Sequence, residues 1–216
     1  MKAHRLVIQR SLRYFTEGAL DAPKQLLVLH GYGQLPEYFI RQFAFLKDHG
    51  VLVVAPEGLH RFYLNGFSGR VGASWMTRHD RLQDIADQVQ YLNEVLKILK
   101  QLNPNAEWGL LGFSQGVATA VRWLHQSAVQ TAFCINWAGT MPPDIPYDRD
   151  AERFATYPMY CLTGDDDDLV KPDDMRYQLQ QLTALPHFQH RIYQGGHKID
   201  PDLLRQLMQE VGFIDD

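Results

Sequence analysis

Residues 108–116, reading W-G-L-L-G-F-S-Q-G, constrain this chain more than any other stretch. Residues 108–113 form a short apolar run of the kind that makes a strand buried on both faces, and residues 115–127 carry Val117, Val121 and Leu124 at helical spacing. A chain that passes from buried strand to helix within a few residues must bend sharply at Ser114, which sits in Gly112-Phe113-Ser114-Gln115-Gly116 and fits G-x-S-x-G. A side chain at either glycine would collide with the crossing backbone, and the serine takes a strained angle that lifts its hydroxyl above the sheet. The start of the helix also directs unpaired amides at whatever binds there. A plain Gly/Ser turn satisfies the five-residue pattern equally well. The strand before it and the helix after it favour a nucleophile.

The rest of the chain repeats that alternation. Residues 25–30, 51–55, 132–137, 157–163 and 188–193 read as strands, and residues 6–15 suit an edge strand or hairpin. Helices are expected at 36–49, with Phe39, Phe43 and Leu46 inward, and at 80–102, 172–185 and 201–211. Residues 57–77 show no clean period and read as a long loop, as do residues 138–156 with their prolines. Strands alternating with helices imply an α/β fold with a mostly parallel central sheet covered on both faces. In such sheets binding sites gather beyond the carboxyl ends of the strands, where Ser114 lies. A length of 216 residues is expected to make one domain, spanning 1–216, with a core that needs no staples.

Composition narrows the function classes. A net charge of −4 provides no basic face for nucleic acid or an anionic membrane. Cys134 and Cys161 each lie inside an apolar run, which reads as two buried free thiols in a reducing compartment. Residues 1–15 mix Lys2, Arg5, Arg10 and Arg13 with apolar residues and lack the unbroken core of a signal peptide, and no later run is long enough to span a bilayer. The expectation is a cytoplasmic protein.

A serine hydroxyl is a weak nucleophile until a base accepts its proton, and the base must be held by an acid. His197 follows the last strand in Gly195-Gly196-His197, where two glycines let the chain turn and return the imidazole over the strand ends. His30, before Gly31, reads as shaping its own turn, and His60 and His79 read as surface residues or pocket walls. The acid is expected among Asp165, Asp166, Asp167 and Asp168, which cannot all be buried, because they repel one another. The run lacks the alternating ligand spacing of an EF-hand loop, so no metal is expected. The oxyanion needs two backbone amides, for which Gln115, directly after the nucleophile, and Tyr32, in His30-Gly31-Tyr32-Gly33, are the candidates. Phe62, Tyr63 and Trp75 are candidates for one wall of an acyl pocket, and Trp137, Met141 and Leu169 for the other. Arg61, Arg70, Arg78 and Arg81 are spread along one segment and read as surface charges, which disfavours a phosphate-clamping phospholipase.

The motifs Leu29-His30-Gly31-Tyr32-Gly33, Gly112-Phe113-Ser114-Gln115-Gly116, the run Gly164 to Val170 and Gly195-Gly196-His197 resemble the phospholipase/carboxylesterase family of α/β-hydrolases, which includes acyl-protein thioesterases and small bacterial carboxylesterases. The match is in order over nearly the whole chain. The family's acid motif is G-x-x-D-x-x-V, onto which Gly164, Asp167 and Val170 fall, so the resemblance implies Ser114 as nucleophile, Asp167 as acid and His197 as base, with Tyr32 and Gln115 as oxyanion donors. It departs where Lys171 intervenes between that valine and Pro172. The resemblance further implies no large lid domain, an open site and no cofactor. The activity expected is cleavage of a small carboxylic ester through an acyl-enzyme. The alternatives are an acyl thioesterase using the same residues and, more distantly, a silent ligand-binding protein on this fold.

Overall fold

The computed structural model describes residues 1–127, 129–170, 172–183 and 185–215, with backbone alone at 172–174, 177 and 181. Seven strands form one sheet: β1 (Tyr14–Glu17), β2 (Lys24–Leu29), β3 (Val51–Pro56), β6 (Glu107–Phe113), β7 (Cys134–Trp137), β8 (Met159–Gly164) and β9 (Phe188–Tyr193), in the order β1-β3-β2-β6-β7-β8-β9. All neighbours run parallel except β1, which pairs antiparallel with β3. The strands that carry the candidate residues therefore stand near the middle and on one side of the sheet, with their carboxyl ends at a common edge.

Alternation along each strand explains how both faces are covered. Leu27, Leu29, Leu110 and Cys134 point into a core shared with α2 (Arg81–Leu102), α3 (Gln115–Gln126) and Leu182 of α4 (Pro172–Leu182). Leu26, Val28, Leu111 and Ile135 point the other way, against Phe39, Phe43 and Leu46 and against Leu204, Leu207 and Met208 of α5 (Pro201–Glu210). The fold is that of an α/β-hydrolase. The expected helix over 36–49 is one α-helical turn, α1 (Pro36–Phe39), continued as a 3₁₀ helix over Ile40–His49 and closed by Gly50 at φ 71°.

Two other expectations need correction. The strand expected over 6–15 begins only at Tyr14, and residues 1–10 are exposed. Pairing with β3 starts at Tyr14↔Pro56, and just beyond it Glu57 N–H still donates to Arg13 O at 3.0 Å, so contact with β3 ends at Arg13 and the residues before it run out into solvent. The loop expected over 57–77 contains a hairpin, β4 (His60–Tyr63) and β5 (Val71–Ser74), whose residues pair antiparallel from His60↔Ser74 to Tyr63↔Val71. The hairpin is joined to the turn after β2, because Gly33 N–H donates to Ala73 O at 2.8 Å and Ala73 N–H to Gln34 O at 3.1 Å.

Candidate active site

Ser114 lies between β6 and α3 with φ 53° and ψ −117°, a conformation that L-residues rarely hold. Packing enforces it. A Cβ on Gly116 would stand 2.1 Å from Leu29 O, and one on Gly112 would stand 2.6 Å from Gly116 O, so α3 can leave the sheet at this angle only with glycine at both positions. The Ser114 N–H is tied to Trp137 O of the neighbouring strand at 2.9 Å, which fixes the bend from the other side.

The turn after β2 approaches the same point, and a Cβ on Gly31 would meet the Ser114 Cβ at 3.1 Å. This turn is held from several directions. Gln34 Oε1 accepts from Gly31 N–H at 2.8 Å. His30, with no exposed surface, accepts from Gly58 N–H through Nε2 at 3.0 Å, so its proton sits on Nδ1, which donates to Gly31 O at 2.8 Å. Burial drives the His30 pKa down to about 4 and outweighs the opposing Gly31 hydrogen bond and the Glu57 charge. Trp75 Nε1–H donates to His30 O at 2.8 Å. The Gln115 side chain ties α3 to the end of β5, accepting from Trp75 N–H and donating to Met76 O, each at 3.0 Å. With their surroundings so fixed, the amides of Tyr32 and Gln115 have no hydrogen-bond partner among the described residues.

The four aspartates after β8 separate by burial: Asp165, Asp166 and Asp168 are exposed, whereas the Asp167 side chain has no accessible surface. Its carboxylate receives the Leu169 N–H at 3.0 Å and faces His197, whose Nδ1 lies 2.9 Å from Oδ2 and 3.1 Å from Oδ1. Asp165 is used otherwise, accepting from Gly195 N–H at 2.8 Å and so bracing the turn that carries His197. The imidazole rests on Phe113, ring centres 5.0 Å apart.

Ser114, Gln115 and His197 line one cavity of about 410 Å³, walled by Met76, Ala118, Met141, Pro142, Leu169 and Val170 among others. Met141 and Leu169 thus stand where the sequence expected a pocket wall. Phe62, Tyr63, Trp75 and Trp137 do not. Trp75, directly after β5, and Trp137, the last residue of β7, are fully buried in the core, their indole N–H groups satisfied by His30 O and Lys198 O. Phe62 packs on the Tyr32 ring at 5.0 Å and Tyr63 is exposed, since β4 presents its faces to that turn and to solvent and not to the cavity. Arg78 is exposed, as expected of a surface charge, but it also lines the rim of the cavity, and Arg122 lines the cavity with it. Arg122 escaped notice altogether, although a signal existed: Ser114, Ala118 and Arg122 fall at i, i+4 and i+8 along one stripe of α3.

Comparisons with known proteins bear on the family and the fold. A protein-family model described as "Serine hydrolase (FSH1)" matches residues 20–208. No curated protein matches the chain in sequence. Among solved structures, esterase PE8 is similar at 22% identity, covering 94% of this chain and 100% of its own, with a TM-score of 0.71. The Zea mays acyl-protein thioesterase 2 is similar at 18% identity, covering 93% and 97%, with a TM-score of 0.70. A phospholipase/carboxylesterase from Dyadobacter fermentans is similar at 18% identity, covering 95% and 98%, with a TM-score of 0.68. At these identities the likeness establishes a common fold.

Proposed function

The chain belongs to the FSH1 serine hydrolase family, and from that premise we propose that it hydrolyses small carboxylic esters through an acyl-enzyme on Ser114. The observation that supports this reading most strongly is the buried Asp167 carboxylate 2.9 Å from His197 Nδ1, in a site whose cavity is shared by His197 and the strained Ser114. With Nδ1–H donated to Asp167, the tautomer leaves Nε2 as an acceptor for the Ser114 proton. Ser114 Oγ then attacks the carbonyl carbon, and the tetrahedral oxyanion is received by the free amides of Tyr32 and Gln115. His197 returns its proton to the departing alcohol. It next takes one from water, which attacks the acyl-enzyme and releases the acid with Ser114 restored.

An acyl thioester would pass through the same acyl-enzyme, so thioester cleavage is the nearest alternative. The thiols of Cys134 and Cys161 are free and buried, which fits a protein working in the reducing cytoplasm. No helix among the described residues is long and apolar enough to cross a membrane, in keeping with a substrate met as a small molecule. A panel of p-nitrophenyl esters and acyl thioesters tests the proposal. Wild type is expected to turn over at least one class with burst kinetics, and Ser114→Ala to lose about 10⁴-fold or more in kcat while keeping its fold. Activity of Ser114→Ala within tenfold of wild type would assign the chemistry to another group, and a wild type silent across the panel would favour a binding protein.

A further inference from the structure

The cavity beside Ser114 is electrostatically one-sided. Its described lining includes two guanidinium groups, Arg78 and Arg122, and no carboxylate. Arg122 is the more telling, because its side chain is only 4% exposed. Its Nε and Nη2 form a fork on Asp144, at 3.0 and 2.6 Å. Its Nη1 has only the Met76 sulfur, at 3.4 Å, as a partner among the described residues. A thioether is a weak acceptor, so a buried cation leaves one edge of its fork poorly satisfied at the cavity wall.

The one carboxylate available to this cluster is shared. Asp144 also receives Arg81 at 3.0 Å, and the Arg122 hydrogen bond and both guanidinium charges overcome the effect of its burial, holding its carboxyl below the usual range. Arg78 has no carboxylate partner among the described residues. Nearby acids are occupied elsewhere: Asp80 pairs with Arg5, and Asp84 with His60 and the Thr77 amide. Three guanidinium groups in this cluster meet the single carboxylate of Asp144, and the Asp167 charge is turned to His197 and lies outside the cavity lining, so the wall that faces Ser114 carries Arg78 and Arg122 and no carboxylate. Ser114 and Arg122 are separated by eight residues, roughly 12 Å along the α3 axis, and helical side chains lean back toward the N-terminus, so a linker of a few atoms spans hydroxyl and guanidinium.

We infer that this site selects acyl substrates bearing an anionic group, a carboxylate or phosphate, which Arg78 and the free edge of Arg122 receive while Ser114 meets the acyl carbon. The inference rests on the reading of Ser114 as nucleophile. The planar fork of arginine matches both oxyanions, and Arg78 supplies a second, movable cation at the exposed rim. The anion rides on the acyl part or on the leaving group, and matched substrates separate the two.

The test compares kcat/KM within isosteric pairs. Mono-p-nitrophenyl glutarate is set against p-nitrophenyl pentanoate, and the pentanoate esters of glycolate and of 2-hydroxyethyl phosphate against propyl pentanoate. Wild type is expected to prefer the anionic member of at least one pair by about tenfold or more, and Arg78→Gln to reduce that ratio by about tenfold. Raising salt should erode the preference in wild type more than in Arg78→Gln, because the rim charge is screened. Arg122→Lys keeps the charge but not the fork and should lower the ratio too, whereas Arg122→Gln leaves Asp144 short of a partner and is the less clean variant. Preference for the neutral member in every pair, unchanged by Arg78→Gln, overturns the inference. If wild type turns over nothing, calorimetry with glutarate and Ser114→Ala decides: binding that Arg78→Gln weakens supports anion selection while the nucleophile reading fails, and absence of binding removes both.

Discussion

Four consecutive aspartates follow β8, and only Asp167 combines full side-chain burial with contact to His197. A buried carboxylate is costly unless its lone pairs are matched, and here the Leu169 amide and His197 Nδ1 match them. Asp167→Asn should keep the shape yet favour the wrong His197 tautomer, costing about 10⁴-fold in kcat. Asp166→Asn and Asp168→Asn should stay within about tenfold, as exposed charges carry little. Asp165→Asn is expected to fall between, because it braces the Gly195 turn. Kinetics of the four variants on one ester check the ranking, and a large loss at Asp168 with none at Asp167 would shift the acid by one residue. His30 yields a second prediction at this scale. Its pKa falls from the ordinary 6.5 to about 4 on burial, so folding holds it neutral. The stabilisation is intact above pH 6.5 and is lost as pH falls from there toward 4, up to about 3 kcal/mol in all. Urea midpoints at several pH values should show this slope in wild type, and His30→Asn should lack that part of it. Both residues were visible in sequence as candidates. Arg122 was marked only by its i+8 spacing from Ser114, and that spacing gains meaning once Asp144 and the cavity are placed around it.

At the scale of elements, the strand–Ser114–helix unit was legible because its constraint is local: the glycines on either side of the serine are demanded by backbone crossing within a few residues. The wall of the cavity was not legible, since it depends on which face each strand end presents. Trp75 and Trp137 are aromatic and lie near the site in the fold, but a residue at or just past a strand end points to core or to cavity according to its local backbone, and both point to core. The β4–β5 hairpin was hidden because its pairs are short and its connecting turn holds Gly66 and Gly69. Substitution separates crowding from backbone strain. Gly116→Ala, with its Cβ 2.1 Å from Leu29 O, should cost about 3 kcal/mol or more, whereas Gly66→Ala, which has open space but φ +64°, should cost about 1–2 kcal/mol. Denaturant unfolding of the two proteins checks the difference, and equal costs would mean that α3 can shift away from β2.

Across the whole molecule, the site is assembled from the carboxyl ends of β2, β6, β8 and β9, which sequence order scatters and the parallel sheet gathers. The alternation of elements was enough to foresee that gathering, because a parallel sheet puts every strand end on one edge. It was not enough to foresee where the sheet stops, since the mixed apolar and charged residues before Tyr14 carry no mark of where contact with β3 ends. Residues 2–10 should accordingly be dispensable for stability: removing them loses the exposed Arg5–Asp80 ion pair and should change the unfolding free energy by less than about 1 kcal/mol. Whether Ser114 is held as an activated nucleophile is read out by reaction with a fluorophosphonate probe followed by intact-mass and peptide analysis. A single adduct is expected on the peptide containing Ser114, absent from Ser114→Ala and much slower to form in His197→Ala. A folded wild-type protein that stays unmodified, or an adduct on another residue with Ser114 intact, would contradict it.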